Sequence, residues 1–261
     1  MGLSQPYKYK KEKLVKDVPI SVPYRSLNLI SNQSENNVLK ITNQNDEKGT
    51  GFFCLIPFPD KFNQLLTLIT NNHVLDKDDI KIGKIIKFSS EKHDYQIKID
   101  EQRKCYTSEE YDTTIIEIKK EDGININKFL EIDEDIFNDN ANEIFSKSSI
   151  YIMHYPNGNE NQISFGVNKG ISLNNINILH QTQTLPGSSG SPIMNLLNYK
   201  IIGIHKGEDK NRNWNLGTLL KLPIEKFKEE FWNKEDIKNN NNNIINQNNS
   251  YIKNKENILK N

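Results

Sequence analysis

Two series of short β-branched and aromatic runs, separated by a polar stretch, constrain this chain more than any other feature. Val38–Thr42, Gly51–Ile56, Leu65–Thr70, Lys84–Phe88, Tyr95–Ile99 and Thr113–Ile118 are divided from one another by Asn, Gly, Pro and Asp, the pattern of strands and tight turns. A second series follows at Ser149–His154, Asn161–Val167, Gly170–Leu173, Asn177–His180, Pro192–Asn195, Lys200–His205 and Asn215–Leu220. The halves, with six and seven runs, are similar in strand count and spacing without a residue-level repeat. A chain of 261 residues can bury a sizeable core as one long all-β domain or as two small barrels sharing an interface.

The runs divide the chain into an extended leader (1–36), a first β unit (37–130), a linker (131–147), a second β unit (148–222), a helix (223–235) and a tail (236–261). The segment from Lys119 to Lys147 is acidic and Asn-rich, with Phe129, Leu130, Ile132 and Ile136 as its apolar positions, and predicts at most a short helical turn. Leu222–Trp232 carries apolar residues at helical spacing, and Pro223 suits a first helical turn. The tail is dominated by asparagine and is expected to be disordered, because it cannot bury enough apolar surface to offset its ordering entropy.

Charge narrows the functional classes. Lys+Arg and Asp+Glu each number 34, so the chain has no net field toward nucleic acid or anionic lipid. Neither partner is expected. Cys54 and Cys105 lack any metal-binding or redox spacing, and the expectation is that no metal or cofactor is needed. No apolar run has signal-peptide or membrane-spanning length, which predicts a soluble cytoplasmic protein. Met1-Gly2 invites a myristoylation reading, but Pro6 stands where the acceptor pattern wants Ser or Thr.

Against that background Gln183–Pro192 stands out, since it places Ser189 in the string Gly187-Ser188-Ser189-Gly190-Ser191-Pro192. A serine hydroxyl needs a base to take its proton and preorganised N–H donors for the oxyanion. Glycines let the backbone turn so that the Gly187 and Ser189 N–H groups converge. Taken alone the string is also ordinary turn chemistry. His73, where the strand-like Leu65–Thr70 gives way to polar residues, offers a base, while His93 sits in a charged loop and His154 and His180 read as structural. Asp112 at the mouth of an apolar strand offers a carboxylate, or simply a strand cap.

The order His73, Asp112, Ser189 and the motifs around them resemble the trypsin-like serine peptidases built from two β-barrels. Thr70–Val74 is similar to the histidine motif of that family, Asp112–Ile116 to its aspartate motif and Gly187–Pro192 to its serine motif; Gly49–Phe53 resembles the Gly-rich strand before the histidine loop and Lys200–Gly207 the strand lining the cleft. The resemblance covers about residues 37 to 232. It implies two packed six-stranded antiparallel β-barrels, a C-terminal helix, peptide or protein substrates, and a cleft between the barrels. It further implies that His73 takes the Ser189 proton, that Asp112 orients His73, and that the Gly187 and Ser189 amides form the oxyanion hole.

Ser188 stands where digestive members carry an Asp that pairs with a newly cut N-terminus, so the chain resembles the intracellular or bacterial-type branch. Within it, Thr184 and His205 resemble the residues with which glutamyl endopeptidases hold an acidic side chain, a role that a protonated His205 would strengthen. His205 is equally readable as a plain strand residue. Two other functions stay open at this level: a catalytically weak two-barrel peptide-binding or scaffold module, and an esterase or acyl-transfer enzyme.

Overall fold

The computed structural model describes residues 17–124, 129–172, 174–209 and 214–232. Helix α1 (Tyr24–Asn37) leads into strands β1 (Val38–Thr42), β2 (Lys48–Pro57), β3 (Gln64–Thr70), β4 (Ile85–Ser89), β5 (Asp94–Lys98), β6 (Cys105–Ser108), β7 (Thr113–Glu117) and β8 (Leu130–Glu131). A short helix α2 (Ala141–Phe145) precedes β9 (Ser149–His154), β10 (Gln162–Ile171), β11 (Asn177–Gln181), β12 (Pro192–Asn195), β13 (Ile201–Asp209) and β14 (Trp214–Leu219), and α3 (Lys221–Phe231) closes the series.

The two β units expected from the sequence are both present, with different closure. The second is a closed six-stranded barrel, ordered β10-β11-β14-β13-β12-β9. The first is a sheet ordered β5-β4-β1-β2-β3-β7-β6, with β8 added parallel to β2, and its end strands β5 and β6 do not pair. Near that gap the buried Arg103 side chain donates to the Lys98 and Glu117 carbonyls and to both Asp122 oxygens, tying the ends of β5 and β7 through a guanidinium instead of a ladder.

One apolar cluster joins the units. Phe52, Ile69 and Ile115 of the first sheet share it with Ile152, Ile193 and Ile204 of the barrel and with Ile224 and Phe227 of α3. The Phe227 ring lies edge-on to Phe58 at 5.5 Å and to Tyr106 at 6.5 Å, so the helix that follows the barrel packs back on the first sheet. A second cluster, around Phe53, Leu68, Ile86 and Ile116, fills the first unit alone.

The leader departs from the extended expectation. Residues 24–37 are helical, although only Ile30, Ser34 and Asn37 are buried on the inner face. That face has helical spacing but is two-thirds polar, and hydrogen bonds hold it. Gln33 accepts from the Tyr151 hydroxyl at 2.7 Å and donates to the Tyr199 carbonyl at 2.9 Å, while Ser34 bonds to the Asn161 side chain at 2.7 Å. The linker carries a 3-10 turn at Glu134–Phe137 and α2, and its Ile136 and Phe145 enter the shared core. The closing helix begins at Lys221 and is described to Phe231; the expected tail at 236–261 lies outside the described residues.

Because Phe227 is fully buried between the units, Phe227→Ala should cost about 3–5 kcal/mol. Urea unfolding followed by tryptophan fluorescence measures this. Phe62→Ala, at an exposed position, should stay within about 0.5 kcal/mol of the parent and serves as the control.

Candidate active site

The His73 loop is set by the end of β3. The chain turns at Asn71, whose carbonyl accepts from the Val74 and Leu75 N–H groups at 3.2 and 3.1 Å. Val74 and Leu75 are buried, which anchors the turn and leaves the His73 ring at the surface, 49% exposed. Its Nδ1 lies 2.8 Å from Oδ2 and 3.0 Å from Oδ1 of Asp112, and its backbone N–H donates to Oδ1 at 3.1 Å. An ionised carboxylate only accepts, so in neutral His73 Nδ1 carries the proton and Nε2 is left as a base.

Asp112 adopts a left-handed backbone, φ +46°, just before β7. Asn71 Nδ2 donates to its carbonyl at 2.8 Å, and Thr218, from β14 of the barrel, donates through Oγ1 to the preceding Tyr111 carbonyl at 2.7 Å. The unusual conformation is thus held from both units.

Ser189 lies on the loop between β11 and β12. Gly187 and Gly190 have φ +89° and +90°, and a Cβ at Gly190 would stand 1.8 Å from the Thr50 carbonyl oxygen, so neither position admits another residue without a shift. The four carbonyls from Pro186 to Ser189 each have a donor. That of Pro186 accepts from the Asn157 N–H at 2.6 Å, that of Gly187 from Thr50 Oγ1 at 2.8 Å, that of Ser188 from Ser191 Oγ at 2.6 Å and that of Ser189 from the Thr50 N–H at 2.8 Å. The Gly187 and Ser189 N–H groups, by contrast, have no protein acceptor among the described residues. Two free donors beside a hydroxyl are what an anion requires.

Among the described residues the hydroxyl has no hydrogen bond to His73. Ser189 Oγ donates to the Lys206 carbonyl at 3.0 Å. Lys206 sits at a bulge where the β13–β14 register shifts between His205 and Gly207. The His205 N–H still donates to the Ser191 carbonyl at 2.8 Å and its carbonyl accepts from the Gly190 N–H at 2.9 Å; beyond His205, β13 pairs only with β14, which leaves an open strand edge beside Ser189.

Ser189, Thr184 and His205 line one cleft of about 660 Å³, together with His180, Glu208 and Trp214. His205 is buried, and its Nδ1 lies 3.2 Å from His180 Nε2, while His180 Nδ1 lies 2.8 Å from Thr182 Oγ1. Burial holds the His205 pKa well below the ordinary histidine value, with the neighbouring His180 adding to the effect, and burial pushes His180 down to about 3. Burial thus favours the neutral form of His205 in the free protein. His180, read from sequence as structural, stands directly behind it. Glu208 was missed because its approach to the cleft depends on the bulge, which has no sequence signature.

Ser188 is fully buried, and its hydroxyl lies 2.7 Å from His154 Nδ1; His154 Nε2 in turn lies 3.1 Å from Ser164 Oγ. Burial lowers the His154 pKa to about 4, so a neutral hydrogen-bonded string supports the residue preceding Ser189. Among the described residues no group of three or more His, Cys, Asp or Glu side chains is placed to hold a metal ion, and no helix is long and apolar enough to cross a membrane.

Residues 49–204 match the family model described as a trypsin-like peptidase domain. No curated protein matches the chain. Solved structures do: the serine endoprotease from Yersinia pestis has 14% identity and a TM-score of 0.56, covering 80% of this chain and 68% of that one. Deg5 has 19% identity and a TM-score of 0.54 over 77% of this chain and 91% of its own. The active form of the Rv3671c protease from M. tuberculosis has 15% identity and a TM-score of 0.51 over 82% and 89%. At such identities the likeness is one of fold.

The buried histidines make the fold acid-sensitive. Each has a folded pKa below its unfolded value, so the unfolded chain binds more protons in the intervening range and stability falls as pH drops. For His154 the loss runs from about pH 6.5 to pH 4 and is on the order of 3 kcal/mol. Urea midpoints measured across that range should fall, and His154→Gln should flatten the slope; an unchanged slope would show that His154 is not held neutral.

Proposed function

The chain belongs to the trypsin-like peptidase family, and we propose that it is a serine endopeptidase in which Ser189 attacks the peptide carbonyl, His73 acts as base and then acid, and Asp112 orients His73. The observation that carries this reading is the His73–Asp112 pair at 2.8 Å, which leaves Nε2 bare on the side free to receive a proton.

The resting bond from Ser189 to Lys206 fits the first step. A peptide laid along the open edge of β13 presents backbone N–H groups to it, as an added strand does. One of them takes the Lys206 carbonyl, the hydroxyl is released, and rotation of χ1 brings it to His73 Nε2. Attack forms the Ser189 Oγ–carbon bond and pushes the carbonyl electrons onto oxygen, where the Gly187 and Ser189 N–H groups receive them. His73 then protonates the departing amine, leaving an acyl-enzyme that water hydrolyses by the reverse sequence.

The residue before the cut enters the cleft with Thr184 and His205. Its preference is for an acidic side chain. In the tautomers in which Thr182 donates to His180 and His180 donates to His205 Nδ1, the Nε2–H of His205 becomes a donor for a ligand, and the Thr184 hydroxyl adds a second. A bound carboxylate also favours protonation of His205, which the empty cleft does not. The competing reading, a peptide-binding module without turnover, draws on the resting orientation of Ser189.

Digestion of denatured protein mixtures, with the new termini identified by mass spectrometry, tests the proposal. Cuts should appear with the parent chain, vanish with Ser189→Ala and fall about 10⁴-fold in rate with Asp112→Asn, where the amide selects the wrong imidazole tautomer. Glu or Asp should dominate before the cut. Cleavage after Leu, Arg or Ala at equal frequency would remove the acidic preference, and cutting that survives Ser189→Ala would remove the nucleophile.

A further inference from the structure

We infer that Thr50 is a positioning residue for this reaction: its single buried hydroxyl ties the turn after β9 to the serine loop and so keeps the Gly187 N–H aimed at the oxyanion. The inference rests on the proposed role of Ser189.

Thr50 lies on β2, in the first sheet, and is fully buried. Its Oγ1 accepts the Tyr155 N–H at 3.1 Å and donates to the Gly187 carbonyl at 2.8 Å, so the hydroxyl uses its proton on the loop and a lone pair on the turn. Its own N–H donates to the Ser189 carbonyl at 2.8 Å, and its carbonyl accepts from Thr70 Oγ1 at 2.7 Å, at the end of the strand that leads to His73. Among the described residues, all hydrogen bonds from the first sheet to residues 186–190 come from Thr50.

The turn matters because it supplies the donor that orients the oxyanion peptide. Asn157, at φ +55°, donates its N–H to the Pro186 carbonyl at 2.6 Å. In a trans peptide the C=O and N–H point in opposite directions. Drawing the Pro186 carbonyl toward Asn157 therefore turns the Gly187 N–H the other way, free of any protein acceptor. If this peptide rotated, its carbonyl would face the site instead and oppose the negative charge. Asn157 holds a left-handed conformation, one that asparagine tolerates better than other non-glycine residues but that its neighbours still help to fix. The Tyr155 N–H bond to Thr50 fixes the start of that turn. Gly187 has no room to move aside, since a Cβ there would already meet the Tyr155 carbonyl at 2.7 Å.

Thr50→Val keeps the shape and the backbone N–H and deletes only the hydroxyl; Thr50→Ser keeps the hydroxyl; Thr50→Ala is the second deletion should the valine variant not fold. Two readouts are taken on the full chain. With p-nitrophenyl acetate, a substrate with no side chain for the cleft, kcat should fall about 10²-fold in the deletion variants at a KM within about threefold of the parent, as for the loss of one oxyanion donor, while serine restores kcat. By amide hydrogen exchange, the segments around 155–159 and 186–190 should exchange about tenfold faster in the deletion variants and at the parental rate in Thr50→Ser, with β12 and β13 unchanged. Unaltered exchange in the two segments, an unaltered kcat, or a loss that serine shares would overturn the inference. A parent chain that turns over no ester would count against Ser189 as nucleophile, and the exchange readout would still decide the role of Thr50.

Discussion

The apolar cluster shared by the two β units is the constraint on which the site depends. His73 and Asp112 hang from the first sheet and Ser189 from the barrel, so no pair of elements within one unit can build the constellation alone. Phe52, Ile69 and Ile115 on one side and Ile152, Ile193 and Ile204 on the other bury a common surface, and α3 closes it with Phe227. Hydrophobic burial is strong but not directional. It brings the units together without fixing the position of the reacting atoms to within tenths of an ångström. Buried hydroxyls supply that precision: Thr50 reaches from the first sheet to the serine loop, and Thr218 from the barrel to the carbonyl beside Asp112. Each hydroxyl crosses the interface in the direction opposite to the other.

The electrostatics of the two sides differ in the same systematic way. His73 is exposed and paired with the Asp112 carboxylate. The barrel histidines are buried and kept neutral. His154 supports Ser188 through a neutral bond at the position where a charged pair was absent from the sequence, and His180 stands behind His205 at the base of the cleft. Neutral buried bonds of this kind set the serine loop without the desolvation cost that an ion pair would carry.

Strands were legible because alternation and turn chemistry are local. Val38–Thr42, Ser149–His154 and Pro192–Asn195 coincide with β1, β9 and β12, and the other expected boundaries shift by a few residues, whereas the short β6 and β8 have no counterpart among the expected strands. Gly170 interrupts what is in fact one strand, β10, because the glycine marks a bulge at Asn168–Gly170 and not an end. Helix α1 was hidden because its buried face is held by Gln33 and Ser34 through partners more than a hundred residues away. Hydrophobic periodicity carries no trace of such bonds. Of the candidate site, His73 and Asp112 lie in contact, and Thr184, His205 and Ser189 share a cleft. The roles of Thr50, His154 and Lys206 were not legible, since each depends on a cross-strand register or a loop contact that no spacing in the chain encodes.

The central claim is that Ser189 becomes an activated nucleophile within a loop already shaped to receive an oxyanion. Intact-mass analysis after treatment with a fluorophosphonate tests it most directly, because the reagent needs an activated serine and free N–H donors but no particular substrate. The account predicts a single adduct on the full chain, on Ser189, formed without any prior cleavage and absent from Ser189→Ala. A folded chain that takes up no reagent, or takes it up equally after Ser189 is replaced, would contradict it.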